Sequence, residues 1–178
     1  MTGREQARER ERAQEPGRAP GRARGREAEL YAVAGAVPDP ELPVLTLAEL
    51  GVLRAVRLTA DGGAEVELTP TYTGCPAVET MADDITAALR GAGVPRVAVR
   101  TVLTPPWSTD DITDTGRRKL RAAGIAPPRP GGLLTLAIHC PRCDAVDTPV
   151  LSRFSGTACM ELRRCAACRE PFDHMKEI

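Results

Sequence analysis

Apolar residues are sparse up to Glu29 and then recur in short blocks whose period switches between helical and alternating. Tyr31, Val33, Ala34 and Val37 predict a short helix. It must stop at Pro38, because Pro40 and Pro43 follow and a residue preceding proline is pushed out of helical space, which leaves a rigid, extended loop. Residues 52–58 and 64–69 alternate and carry β-branched side chains, predicting two strands joined as a hairpin through Asp61-Gly62-Gly63. Val78, Met81, Ile85, Ala88 and Leu89 return to helical spacing with Glu79, Asp83, Asp84 and Arg90 facing out, and Gly91 and Gly93 end that helix. Residues 96–103 alternate again, and Ile112 to Ala123 predicts a closing helix stopped by Gly124. Residues 30–126 therefore read as an α+β domain, a small mixed sheet with covering helices.

Pro127 to Gly132 reads as a linker, stiffened by proline and loosened by glycine. Beyond it, residues 133–178 hold too few apolar side chains for an independent core, so something else must stabilise them. Cys140-Pro141-Arg142-Cys143 and Cys165-Ala166-Ala167-Cys168 supply it, two Cys-x-x-Cys knuckles separated by twenty-one residues. Each knuckle lets two sulfurs reach one ion, and two knuckles close a tetrahedral site with no open position. This segment is expected to be a small zinc-ribbon-like module, unfolded without its metal, whose structural zinc contributes roughly 10 to 16 kcal/mol. Four thiolates also suit iron or an iron-sulfur cluster, and spacing does not choose among them.

Composition narrows the partners. The chain of 178 residues carries 24 basic and 24 acidic side chains, so no basic excess marks a nucleic acid or an anionic membrane as partner. Aromatic residues make up 3%, too few for a base-stacking surface. No apolar run is long enough to span a bilayer and no secretory signal is visible, which predicts a cytoplasmic protein whose six cysteines are thiols or metal ligands rather than disulfides. Residues 1–29 hold eight Arg and six Glu, interrupted by Pro16-Gly17 and Pro20-Gly21, and read as a disordered tail that cannot offset its ordering entropy.

Four further positions are candidates for chemistry or packing. Gly74 permits a tight turn and Pro76 suits a first helical turn, which puts Cys75 at a helix amino terminus where N–H groups favour a thiolate; the alternative is a small buried side chain. Asp39 and Glu41 bracket Pro40 in the rigid loop, as a ligand site requires, although Asp39 would equally serve by accepting turn N–H groups. Trp107, the single tryptophan, reads as a plug at the sheet end, with Ser108, Thr109 or Asp110 capping the helix behind it. Cys159 reads as a spare ligand or a small buried residue, His139 could replace a thiolate, and His174 has no partner readable from spacing.

As a set, Val37-Pro38-Asp39-Pro40-Glu41-Leu42-Pro43-Val44-Leu45-Thr46, Glu49-Leu50-Gly51, Thr69-Pro70-Thr71-Tyr72-Thr73-Gly74-Cys75-Pro76-Ala77 and Pro106-Trp107-Ser108-Thr109-Asp110 resemble the metal-sulfur cluster biosynthesis domain of SufT-type iron-sulfur assembly factors. With Thr157-Ala158-Cys159 and the two knuckles, the resemblance narrows to the PaaD family, accessory subunits of phenylacetyl-CoA 1,2-epoxidase. It implies a role in maturing a multicomponent ring monooxygenase of aerobic phenylacetate degradation, with the other epoxidase subunits as partners and no catalysis by this chain itself. It also implies that Cys75 is the reactive cysteine, that Asp39 and Glu41 form the acidic loop, and that the cargo is a transient iron or iron-sulfur species. The chain departs from the family pattern at Glu49, Ser155-Gly156, Met160 and His174-Met175, and the tail departures are candidates for the surface that meets partner subunits.

Overall fold

The computed structural model describes residues 20–72, 74–128 and 137–176. Residues 1–19 of the expected tail, 129–132 of the linker, Thr73, the first residues of the second module and its last two lie outside that range.

Helix α1 spans Pro20–Gly35 and so starts ten residues earlier than the expected core boundary at Leu30. Tertiary bonds then hold a segment whose composition reads as disordered. Glu27 accepts a hydrogen bond from the Leu58 backbone N–H at 3.0 Å, and Arg26 donates to the Ala92 carbonyl at 2.7 Å. The fully buried Leu30 and the Tyr31 hydroxyl, which donates to the Leu53 carbonyl, anchor the helix against the sheet.

The loop after α1 closes on itself instead of running extended. Pro38 bridges Thr46, the Asp39 N–H donates to the Leu45 carbonyl, and Leu42 and Leu45 point into the core. A one-turn helix α2, Leu47–Leu50, follows, capped by Thr46 with Glu49 reaching back to the Thr46 N–H at 3.0 Å. Glu49, a departure from the family pattern, also pairs with Lys119 at 2.7 Å and so serves the cap and an ion pair together. Gly51 ends α2 at φ 79°, and a Cβ there would sit 2.3 Å from the Asp111 carbonyl oxygen, so only glycine fits.

Strands β1 (Leu53–Leu58) and β2 (Ala64–Leu68) form the expected antiparallel hairpin, with a register shift between Leu53 and Ala55. Helix α3 (Ala77–Gly91) then leads to β3 (Val97–Thr101), which pairs parallel with β2 and makes the three-stranded sheet mixed. Ala64, Val66 and Leu68 on β2 and Met81, Ile85 and Leu89 of α3 belong to one buried cluster. Trp107 is the expected plug, 4% exposed, its Nε1 donating to the Leu50 carbonyl at 2.9 Å. Ser108 caps a short 3-10 turn, Thr109–Asp111, rather than the helix behind it. Helix α4 begins at Asp114, two residues later than predicted, because Thr113 accepts the Gly116 N–H and leaves Ile112 buried as a spacer.

The second sheet has the order β4-β7-β6-β5, from Ile125–Ala126, Pro171–Met175, Met160–Arg164 and Val150–Ser152. Its first strand lies in residues the sequence assigned to the core domain: Ile125 and Ala126 pair in parallel with Asp173 and His174. The second module is also joined to the first through its interior. Cys159, Met160 and Met175 belong to the main core, while a smaller cluster of Ala126, Ile138, Cys140, Cys165 and Phe172 sits near the knuckles. Met160, His174 and Met175 are buried, so these departures from the family pattern pack the interior and do not form a partner-facing surface.

Candidate metal centre and buried thiol

The two knuckles have the same backbone construction. In the first, Cys140 N–H donates to the Ala145 carbonyl and Asp144 N–H to the Cys140 carbonyl, both at 2.9 Å. In the second, Cys165 N–H donates to the Glu170 carbonyl at 3.0 Å and Arg169 N–H to the Cys165 carbonyl at 2.9 Å. Each loop turns back just after its second cysteine through a left-handed residue, Asp144 at φ 63° and Arg169 at φ 65°.

This construction brings Cys140, Cys143, Cys165 and Cys168 together, with all four sulfurs within 4.8 Å of one another. Cys140 and Cys168 are 3.7 Å apart and Cys143 and Cys165 are 3.5 Å apart, the crowding expected around one tetrahedral ion. Cys140 and Cys165 are fully buried, while Cys143 and Cys168 are exposed. The Cys168 N–H aims at the Cys165 sulfur and lowers that thiol to about 7. At Cys168 the Glu170 N–H favours the thiolate, yet desolvation and the neighbouring sulfurs push the thiol up to about 12. Four thiolates this close repel unless a cation sits among them, so the donor set fits a metal and the chemistry of a closed, structural site. His139 stands outside this set and pairs with Asp144 at 3.2 Å, and His174 Nδ1 meets Glu161 at 2.9 Å, a partner that spacing does not reveal.

Cys75 occupies a different part of the molecule. Gly74 turns at φ 86°, Pro76 is the N-cap of α3, and Cys75 is packed in the core at 8% exposure. The expected help from the helix terminus is present, since the Ala77 N–H favours the thiolate, and the Tyr72 hydroxyl adds to it. Burial is the stronger influence and, with the negative charges of Glu41 and Asp39, raises the thiol instead of activating it. Asp39 is itself buried and its Oδ1 accepts from Glu41 N–H at 3.0 Å and Leu42 N–H at 2.7 Å, so it builds the turn. Burial raises the Asp39 carboxyl against those two bonds, and burial with the Asp39 charge raises Glu41.

Sequence reasoning misses Tyr72, and of the two readings it leaves open for Cys159 the structure shows the small buried side chain. Tyr72 stands out along the chain only as part of a motif, and Cys159 stays open there between spare ligand and packing residue. Cys159 lies just before β6, 3% exposed, with Thr157 Oγ1 at 3.0 Å from its sulfur. Asp39 and Glu41 act on it as they act on Cys75. No periodicity connects positions 75 and 159; the ribbon's docking packs Cys159 into the same main core that holds Cys75.

Comparisons with known proteins divide along the same lines. Residues 27–104 match the family described as iron-sulfur cluster assembly protein, and residues 126–176 match the PaaD zinc beta ribbon domain. A crystal structure of a domain of unknown function, DUF59, from Bacillus anthracis is similar with a TM-score of 0.53 and 28% identity, covering 57% of this chain and 97% of that one. The Fe-S protein maturation auxiliary factor YitW of Bacillus subtilis (strain 168) is 35% identical over 80 residues, 43% of this chain and 76% of that protein. Across both halves, the chain is 42% identical over 153 residues to a "Putative 1,2-phenylacetyl-CoA epoxidase" subunit of Escherichia coli (strain K12), covering 84% of this chain and 92% of that relative. An assembly-type domain carrying Cys75 and a four-cysteine ribbon, matched together over nearly the whole of that relative, place this chain in the PaaD family.

Proposed function

We propose that this protein is an accessory factor of a phenylacetyl-CoA epoxidase, a multicomponent ring monooxygenase, and that it acts in iron or iron-sulfur maturation of that complex. The observation that carries the reading is the union on one chain of an iron-sulfur assembly domain with the PaaD ribbon, alongside 42% identity to an epoxidase subunit. Cys75 is the transient ligand in this reading, with Asp39 and Glu41 as the acidic loop beside it. Zinc occupies Cys140, Cys143, Cys165 and Cys168 as a scaffold, in keeping with four crowded sulfurs and no open position. The partners are the other epoxidase subunits, and the setting is the cytoplasm, where six unpaired cysteines stay reduced. Among the described residues, no helix is long and apolar enough to cross a membrane.

The test is to co-express the epoxidase with the Cys75→Ser variant and measure iron occupancy and activity of the purified enzyme. Both should fall while the variant itself remains folded, and unchanged occupancy would remove the carrier role. The burial of Cys75 and the raised thiol favour a second reading, a stoichiometric structural subunit in which Cys75 only packs. Size-exclusion chromatography separates the two, since a maturation factor is absent from the active complex and a structural subunit co-elutes with it.

A further inference from the structure

Of the seven large apolar side chains exposed among the described residues, four fall within residues 146–154 of the ribbon: Val146, Val150, Leu151 and Phe154. Single exposed apolar side chains are ordinary on a protein surface, whereas a run of them marks a contact site. Phe154 is the most open of the seven, 68% exposed. Its place is nevertheless fixed. Ser152 Oγ donates to the Phe154 carbonyl at 2.6 Å and accepts the Phe154 N–H at 3.2 Å, and Lys176 Nζ lies 5.0 Å from the centre of the ring. Val150 and Leu151 belong to β5, which among the described residues pairs only with β6 and ends the sheet.

Cations flank this run at both ends. Where β5 begins, an open hollow of about 330 Å³ is lined by Pro149, Arg164, Cys165, Ala166 and Arg169, with no carboxylate among them. The hollow adjoins the strand directly, since Arg164 N–H donates to the Pro149 carbonyl at 3.1 Å and Arg164 Nε to the Arg169 carbonyl at 3.2 Å. Past the other end of β5, Lys176 Nζ donates to the Arg153 carbonyl at 3.4 Å beside the Phe154 ring. Three of the ribbon's acids are engaged elsewhere: Asp144 with Arg121 and His139, Glu161 with Arg163 and His174, and Asp173 with Ser155. Among the described residues no carboxylate pairs with Arg153, Arg164, Arg169 or Lys176, and the exposed Asp147 and Glu170 are no exception. A dication held by four thiolates leaves a net negative charge, which Arg164 and Arg169 offset in part; Arg153 and Lys176 have no such task.

We propose that the β5 edge of the ribbon docks a partner subunit through an acidic segment of that subunit, whose apolar side chains pack on Leu151 and Phe154 while its carboxylates meet Arg153, Lys176 and the arginine-lined hollow. This rests on the accessory-factor reading and adds to it the face that meets the partner. Apolar contact gives the complex its strength, and an aromatic side chain among arginines is the composition that interfaces favour. Charge selects the occupant. A basic segment is repelled, and a purely apolar one leaves the surrounding cations desolvated without partners.

The full-length, zinc-loaded protein is immobilised and the purified epoxidase subunits are titrated over it by surface plasmon resonance, at low and at high salt. One subunit should bind, with a Kd that rises about tenfold or more at high salt as the charges are screened. Phe154→Ser and Arg153→Glu should each weaken binding by about tenfold or more while zinc content and melting temperature stay unchanged. Arg90→Glu, which reverses an exposed cation on α3 of the core domain, should bind as wild type. Wild-type affinity in both ribbon variants overturns the docking surface and leaves the accessory reading standing, as does an equal loss in Arg90→Glu. A wild-type chain that binds no epoxidase subunit overturns both. Hydrogen exchange of the wild-type complex needs no variant: residues 150–154 should gain protection, and protection confined to the core domain overturns the inference. Self-association or binding of a single-stranded oligonucleotide that is lost in Phe154→Ser assigns the surface to a second copy or to nucleic acid, and likewise overturns it.

Discussion

Asp144 and Arg169 hold the same left-handed backbone conformation, φ 63° and 65°, at the same place in the two knuckles, one residue beyond the second cysteine of each pair. The position is one that glycine fills without strain, whereas a residue with a Cβ is disfavoured there. Asp144 has local compensation, since it pairs with Arg121 at 2.5 Å and with His139. Arg169 contributes to its turn through its backbone, its carbonyl accepting from Arg164 Nε at 3.2 Å. Arg169→Gly should therefore stabilise the metal-loaded ribbon by about 1 kcal/mol, measured by thermal or denaturant unfolding. Asp144→Gly should gain less, because it also loses the ion pairs.

Metal removal should loosen more than the ribbon. The site is expected to supply on the order of 10 kcal/mol to a module with only a small cluster of its own. Because Cys159, Met160 and Met175 are packed in the main core, a strong chelator should expose Cys75 and Cys159 to alkylation together with the four ligands. Time-resolved iodoacetamide labelling checks this; continued protection of Cys159 in the chelated protein would mean that the ribbon's docked face holds without metal.

Asp39→Asn should stabilise the fold at neutral pH. Burial raises the Asp39 carboxyl above its ordinary value despite the two N–H groups it accepts, so ionised Asp39 opposes folding. The stability associated with its protonated form is present below the unfolded carboxyl's pKa and is lost as pH rises through the folded one. Asparagine keeps an oxygen for the Glu41 and Leu42 N–H groups and removes the charge. The gain in melting temperature should be present at pH 7 and shrink towards zero below about pH 4, where the wild-type carboxyl is protonated too.

Trp107→Phe should destabilise the protein by about 1 to 3 kcal/mol, because it removes the indole N–H from the Leu50 carbonyl in a buried setting. Denaturant unfolding followed by far-UV circular dichroism measures it, since the substitution removes the single tryptophan whose fluorescence would otherwise report the transition.

Much of the fold was legible where burial is local. The β1–β2 hairpin, α3 and β3 follow from alternation and helical spacing, because each buries one face on a common core. The amino-terminal boundary was not legible. An Arg/Glu-rich run shows no apolar face, and what orders Pro20 to Glu29 as helix is its contact with Leu58 and Ala92, distant in sequence. The strand Ile125–Ala126 was missed for a related reason: two residues carry no period, and their pairing with Asp173 and His174 exists only once the chain has returned.

The sequence by itself determined the four-cysteine centre, since two Cys-x-x-Cys knuckles carry their own local geometry and need only approach one another. It also marked Cys75, Asp39 and Glu41 as candidates through turn and loop chemistry. Tertiary structure alone decided the surroundings of Cys75. Burial and two carboxylates outweigh the helix terminus in setting its thiol, and the ribbon's docking adds Cys159, Met160 and Met175 to the core that buries it. Electrostatic environment and long-range packing depend on which parts of the chain meet, and no spacing along the chain encodes that meeting.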